Sequence, residues 1–442
     1  MKKIIALCLA GVMTASALAG CGSNNAASSG GASGNKAAAN GSKKGVEISM
    51  LNSKGEIQSG LEDIASAYEA KTGVKIDVMA CGAGESPYTK LTSMYNSGSA
   101  PTMSIVDPTD VMALAKSKAT DLSGEKWTSE CKDTAWKVDG KVYSFPLCIE
   151  GSGLIYNKEA IEKTLKTTFD PNSINSYDAL KNLLEKLRAG GMQYPVVISK
   201  EDWSLGSHQL GMVYNTYDGT QAGSAKLINN LKAGTAKMET TKRFDQFTHT
   251  LDLLLAYNVN HADPLGAIYE QDPTYLVDEK AAIWFNGDWA WPNLKDAGAK
   301  TSDKYGFLPY VLSNDTSDFA NTKMQASSSK QIMIDKQQAS ADQVQAAKDF
   351  LNWLVYDKEA QKMLTEKCAL IPACKNNPNS ATDPLSRDIQ AKQKAGKTYN
   401  CAYIAPGDHW KVLGADMQKY IAHKETKAQL AAAIDKYWTS QK

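Results

Sequence analysis

Apolar and polar residues alternate from Val46 to Leu51, placing Val46, Ile48 and Met50 on one face, and this predicts a strand. The period then lengthens. Leu61, Ile64, Ala65 and Tyr68 share one helical face, and Gly73 closes the segment. Alternation returns at Val74, Ile76, Val78 and Ala80, and a second helical face follows at Tyr88, Leu91, Met94 and Tyr95, stopping near Gly98. A short apolar strand from Met103 to Val106 ends in Asp107, and a third helix is predicted from about Thr109 to Ser117. The order β-α-β-α-β predicts an α/β fold with a parallel sheet wrapped by helices. Ligands of such sheets sit beyond the carboxyl ends of the strands. The loops there are Asn52-Ser53-Lys54-Gly55, Cys81-Gly82-Ala83-Gly84-Glu85 and Asp107-Pro108-Thr109-Asp110, all small or polar.

Further along, Tyr143 to Leu147 and Leu154 to Lys158 read as two short apolar segments meeting across a Gly-rich bend at Glu150-Gly151-Ser152-Gly153. Helices are predicted over Tyr177 to Leu187, with Ser176 as N-cap, and over Phe247 to Tyr257. Ala281 to Phe285 reads as a strand leading into Asn286-Gly287-Asp288-Trp289-Ala290-Trp291. Val344, Ala347, Phe350, Leu351 and Leu354 form a strongly amphipathic helix, and the last helices run from about Leu413 to Ala422 and Lys427 to Tyr437.

The front of the chain has a different character. Lys2 and Lys3 precede a short apolar run from Ile4 to Leu18, then Leu18-Ala19-Gly20-Cys21. This resembles the signal and lipobox of bacterial lipoproteins and implies cleavage before Cys21, whose thiol takes a lipid. The alternative is an ordinary secretory signal. Residues 21–45 are rich in Ser, Gly, Asn and Ala and are expected to be a disordered tether, with a reach of about 25–30 Å. Lys plus Arg is 49 and Asp plus Glu is 48, so no charge excess points to nucleic acid. After the signal and the lipid site, Cys81, Cys131, Cys148, Cys368, Cys374 and Cys401 remain, with fifteen possible pairings. Cys368 with Cys374 is the favoured pair because they flank a short loop, and free buried thiols are the alternative.

From about residue 46 onward the chain resembles the extracellular solute-binding proteins of ATP-driven sugar importers, the family of maltose-binding protein. Four separate pieces carry the resemblance: Phe145-Pro146 through Glu150 to Lys158; Ala281 through Trp291; the helix around Phe350-Leu351 with Ala360-Gln361 and Leu370-Ile371-Pro372; and Trp410 before the closing helices. It implies two α/β lobes of the periplasmic-binding-protein type II fold, facing each other across a hinged ligand cleft. Crossings are expected near 149–153, 325–330 and 375–385. The expected division is 1–20 signal, 21–45 anchor and tether, 46–148 and 327–380 one lobe, and 149–326 and 381–442 the other.

Sugars present hydroxyls at their edges and C–H faces above and below, so a site needs aromatic platforms and polar groups that take paired hydroxyls. By resemblance, Trp289 and Trp410 match sugar-stacking positions, and Trp203 is a third possible platform. Trp291 is read as structural, and His409 as incidental unless it assists Trp410. Glu150 matches a sugar-binding carboxylate at the first crossing, a hinge role being the alternative. One of Asp107 and Asp110 is expected to bind, although Asp110 also suits an early-helix position. Lys54 matches a charged family position, a solvated surface lysine being the alternative. Asp288 departs from the apolar residue or Pro of maltose-binding protein and suggests a different sugar. Glu85 is a weaker candidate.

The resemblance implies a monomeric, lipid-anchored component that takes an oligosaccharide to a membrane permease on the outer face of the cytoplasmic membrane. No cofactor, metal or nucleic acid is expected. The ligand expected first is an α-linked gluco- or galacto-oligosaccharide. The competing readings are a surface adhesin and a glycoside hydrolase, but no carboxylate pair flanking a scissile bond stands out.

Overall fold

The computed structural model describes residues 45–82, 85–399 and 403–441. The lipid site at Cys21, most of the tether and Cys401 lie outside these residues. Twelve strands are described: β1 (Glu47–Asn52), β2 (Lys75–Ala80), β3 (Met103–Val106), β4 (Lys137–Val138), β5 (Lys141–Val142), β6 (Phe145–Asn157), β7 (Val196–Val197), β8 (Ile283–Gly287), β9 (Tyr305–Leu308), β10 (Met324–Ile334), β11 (Ile371–Pro372) and β12 (Thr398–Tyr399).

Ten strands form one sheet in the order β2-β1-β3-β10-β6-β8-β7, with β9 and β11 also on β6 and β12 on β10. β1 runs parallel to β2 and β3, with Met50 opposite Val78 and Met103. The helix Gln58–Thr72 between β1 and β2 buries Leu61, Ile64, Ala65 and Tyr68. Gly73 caps it at φ +77°, and its N–H donates to the Glu69 carbonyl at 2.7 Å. That left-handed conformation is strained for any residue with a Cβ. Ser176 caps the helix Tyr177–Ala189 by accepting from the Ala179 N–H at 3.2 Å.

The core divides into two groups. One is drawn from Ile48–Cys148 together with Ile332–Cys374. The other is drawn mainly from Leu154–Ala326 and Leu385–Trp438, with Ile371 of β11 joining it. The chain passes from one to the other within β6, within β10, and between Cys374 and Leu385.

Two expectations change here. The Gly-rich stretch 150–153 is not a bend between two strands. It is the middle of the 13-residue β6. The glycines serve close packing. A Cβ on Gly151 would run into the Ile389 side chain, and one on Gly153 would lie 2.8 Å from the Leu308 carbonyl oxygen. The favoured cysteine pair is also wrong, because the disulfide joins Cys131 to Cys374, 243 residues apart in sequence. Cys368 is free and packs its Sγ against Gly60, where a Cβ would lie 2.7 Å away. Cys81 and Cys148 are free and buried as well.

Candidate functional site

One wall of the site is built of ion pairs at strand ends. β1 delivers Asn52, whose amide brackets the next turn: Nδ2 donates to the Lys54 carbonyl and Oδ1 accepts from the Lys54 N–H, both at 2.8 Å. The turn sends the Lys54 side chain inward, to 2% exposure. There the ammonium pairs with Glu150 from β6 and, at 2.6 Å, with Glu56. The solvated-surface alternative for Lys54 does not hold. Burial pulls its pKa down, but the two carboxylates outweigh this and hold it well above the usual lysine value. Glu150 is buried too. Burial pushes its carboxyl up, and Lys54, Lys330 and the Ser329 hydroxyl more than reverse that.

Opposite Glu150, the register of β10 slips between Ser327 and Lys330. Such a bulge leaves residues without ladder partners and re-aims their side chains. Here Ser329 donates its hydroxyl to Glu150, and the Lys330 ammonium reaches Asp107 Oδ1 at 2.6 Å. Asp107 precedes the helix Pro108–Lys118, and its N–H donates to Asp110 Oδ2 at 3.2 Å. Asp110 is thus a buried capping group. Burial, then the Asp107 charge, push its pKa up to about 7. Of the pair, Asp107 is the one that reaches the ion-pair wall.

The other wall is aromatic. Its centre is a seven-residue π-helix, Trp203–Gln209, a geometry frequent at functional sites. It lies almost backbone to backbone on the helix His409–Ile421. A Cβ on Gly206 would strike the Trp410 carbonyl oxygen, and one on Gly414 would lie 2.6 Å from the Asp202 carbonyl oxygen. Trp203 meets Tyr269 edge-on at 5.2 Å and His208 at 5.5 Å. His208 lies 4.7 Å from the Trp289 ring. Trp289 follows β8 and lies over Gly287, where any Cβ would overlap its ring. Tyr269 is fixed by the Asn286 amide, which donates to its hydroxyl at 3.3 Å.

His208 joins the two walls. Burial pushes its imidazole down to about 4, against the pull of Glu150 and Asp107 and with the help of Lys330 and Lys54. Lys54, Glu56, Glu150, Asp288 and Trp289 line one cavity of about 10 Å³. That is no more than one water requires, so nothing larger fits there with the walls as they stand.

Trp410 is half-buried at the start of its helix. His409 is 1% exposed and packs among Tyr214, Tyr403, Tyr437 and Trp438, which makes it a core residue. Trp291 is also a core residue, edge-on to Tyr305 at 6.3 Å. Asp288 borders that cavity with its carboxylate already engaged: Oδ1 accepts from the Gly151 N–H at 2.8 Å, and Oδ2 lies 3.4 Å from the Ser386 hydroxyl. It ties β6 to the helix Pro384–Lys394, and burial, then Glu150, raise its pKa well above the usual aspartate value. Glu85 is exposed and pairs with Lys90 at 2.8 Å. The sequence reading missed His208, Tyr269, Ser329 and Lys330.

Residues 63–393 match the family described as bacterial extracellular solute-binding protein. A relative, the multiple sugar-binding protein of Streptococcus mutans serotype c, is 27% identical over 263 residues, spanning 58% of this chain and 60% of its own length. Among solved structures, the protein RafE in complex with raffinose superposes with a TM-score of 0.71 at 17% identity, over 89% of this chain and 99% of its own. A chitin oligosaccharide binding protein gives 0.69 at 20% identity over 89% and 98%. A sugar transporter protein of Bacillus licheniformis in complex with stachyose gives 0.66 at 15% identity over 90% and 100%. At these identities the neighbours establish the two-lobed periplasmic-binding-protein type II fold.

Proposed function

The chain belongs to the bacterial extracellular solute-binding proteins, and from that premise we propose that it captures an oligosaccharide between the two walls and presents it to an ATP-driven importer. The observation that carries this reading is the meeting of an aromatic wall (Trp203, His208, Tyr269, Trp289) with a wall of paired charges (Lys54–Glu150, Lys330–Asp107). Aromatic rings suit the C–H faces of sugar rings, and charged acceptors and donors suit their hydroxyls. Lys54 and Lys330 each already hold a carboxylate, which favours an uncharged sugar over an acidic one.

The first candidates are α-linked gluco- or galacto-oligosaccharides. Raffinose and stachyose, named for two structural neighbours, extend sucrose with α-linked galactose. We place the moving bodies at 46–148 with 327–380 and at 149–326 with 381–442, hinged in β6, in β10 and in the segment before Leu385. A ligand that touches both bodies favours the closed arrangement by its differential affinity. Trp410 and Trp203 serve as further platforms. Cys21 carries a lipid, and the segment after it is a tether that keeps the lobes near a permease.

A thermal-shift screen with raffinose, stachyose, maltotriose, chitotriose and xylotriose tests this reading. One sugar at about 100 times its Kd adds roughly 2.7 kcal/mol of stability. No shift with any sugar, or hydrolysis of one, overturns it. Palmitate labelling that survives Cys21→Ala overturns the anchor.

A further inference from the structure

The π-helix that carries Trp203 also carries His208, whose ring packs on Trp203 and Trp289 and lies within the electrostatic reach of Glu150 and Asp107. Its ring is held from two directions, by Trp203 at 5.5 Å and 67° and by Trp289 at 4.7 Å and 51°. Ring packing of that kind limits the imidazole to a narrow range of orientations. Its Nδ1 is shut off from solvent and has no hydrogen-bond partner among the described residues. A buried polar atom left unpaired is destabilising unless the working state of the protein supplies a partner.

Four charged groups act on the ring: Glu150, Asp107, Lys330 and Lys54. Lys54 is taken by Glu150 and Glu56, and Lys330 by Asp107. None of the four satisfies Nδ1. A neutral imidazole nitrogen either accepts a hydrogen bond or, in the other tautomer, donates one. A sugar hydroxyl does both, so it can meet either tautomer without importing charge.

We propose that His208 contacts the ligand directly, with Nδ1 exchanging one hydrogen bond with a hydroxyl of the sugar ring that lies between Trp289 and the ion pairs. This rests on the oligosaccharide reading above and sharpens it. The π-helix then supplies a polar contact as well as a platform, and the sugar needs a hydroxyl at that point. A site built to bond a hydroxyl rejects an analogue that lacks it, because the protein atom is left buried and unpaired.

The test is calorimetry on the full chain with raffinose, stachyose, maltotriose, chitotriose and xylotriose, followed by two variants titrated with the tightest binder. His208→Phe keeps an aromatic ring and removes the nitrogen, and it is expected to weaken binding about tenfold or more. His208→Asn places an amide near the position of Nδ1 and is expected to stay within about threefold of wild type. Equal affinity of His208→Phe and wild type overturns the His208 contact and leaves the oligosaccharide reading standing. Failure of wild type to bind any of the five overturns both. If His208→Phe does not fold, the ¹⁵N-histidine spectrum of the wild type decides. The His208 Nδ1 resonance, assigned with His208→Asn, should move when the sugar is added. An unmoved resonance overturns the contact.

Discussion

The two walls of the cleft are built by opposite means. The charged wall is made by strand ends and a bulge, and its members are already paired: Lys54 with Glu150 and Glu56, Lys330 with Asp107. The aromatic wall rests on a π-helix and on glycines that let rings and backbones approach closely. Its rings touch edge-on or tilted, and the His208 Nδ1 has no partner among the described residues. On the proposed reading, the charged wall supports the fold and presents fixed hydrogen-bonding groups, whereas the aromatic wall carries the unsatisfied capacity that a ligand can fill.

The largest effect should come from breaking the charged wall. Lys54→Met leaves Glu150 buried beside only Ser329 and Lys330 and should destabilise the protein by about 3–5 kcal/mol, measured by denaturant unfolding. Adding Glu150→Leu to that variant should recover part of the loss, since the buried Glu150 charge is then gone and the remaining Glu56 carboxylate is 23% exposed to water. Next is the Cys131–Cys374 disulfide, which closes a long loop. Cys131→Ser with Cys374→Ser should lower stability by about 2–4 kcal/mol without altering sugar preference.

Damage to the aromatic wall should spare the fold more than the binding. Trp289→Ala should weaken sugar binding by about 1–3 kcal/mol in calorimetry. Gly287→Ala should do the same indirectly, because its methyl takes the space of the Trp289 ring.

A pH trend completes the set. Asp110 has its carboxyl raised to about 7 in the folded chain, above the ordinary aspartate value of 3.8. Between those values the folded state binds more protons than the unfolded one. The stabilisation is therefore full below about pH 4 and lost as pH rises through 7. Melting temperatures read from pH 4 to 8 should show this decline, and Asp110→Asn, which cannot titrate, should lessen it, the remainder coming from Asp272, which burial also pushes up to about 7. An unaltered slope in that variant removes Asp110 as its source.

Much of the fold was legible because its signals are local. The alternation of Val46, Ile48 and Met50, the helical face of Leu61 to Tyr68 and the Ser176 cap each depend on residues within one element. Long-range decisions were not legible in the same way. Whether Gly151 and Gly153 bend the chain or admit a neighbour depends on Ile389 and Leu308, far away in sequence. The partner of Cys374 lies 243 residues back. The π-helix has no hydrophobic period that a 3.6- or 2-residue pattern detects.

The site was legible in part for the same reason. Trp289, Trp203, Glu150, Asp107 and Lys54 stand in motifs or at strand ends, and the structure gathers them into one cleft. Asp288 and Asp110 stand in those motifs as well, but their carboxylates are used by backbone N–H groups of Gly151 and Asp107. Lys330 and Ser329 face the site only because the register of β10 slips on either side of Lys330, between Ser327 and Gln331, and His208 only because a π-turn carries it there. The run of three serines, 327–329, and the closeness of His208 to Trp203 were the available hints.

The central claim is that one sugar is held by both walls at once. Calorimetric titration of the tightest oligosaccharide against wild type, Trp289→Ala and Asp107→Asn tests it directly. The account predicts that each single change weakens binding, by about 1–3 kcal/mol for the ring and by about 1 kcal/mol or more for the carboxylate. An affinity that falls with neither change, or with one wall only, contradicts it.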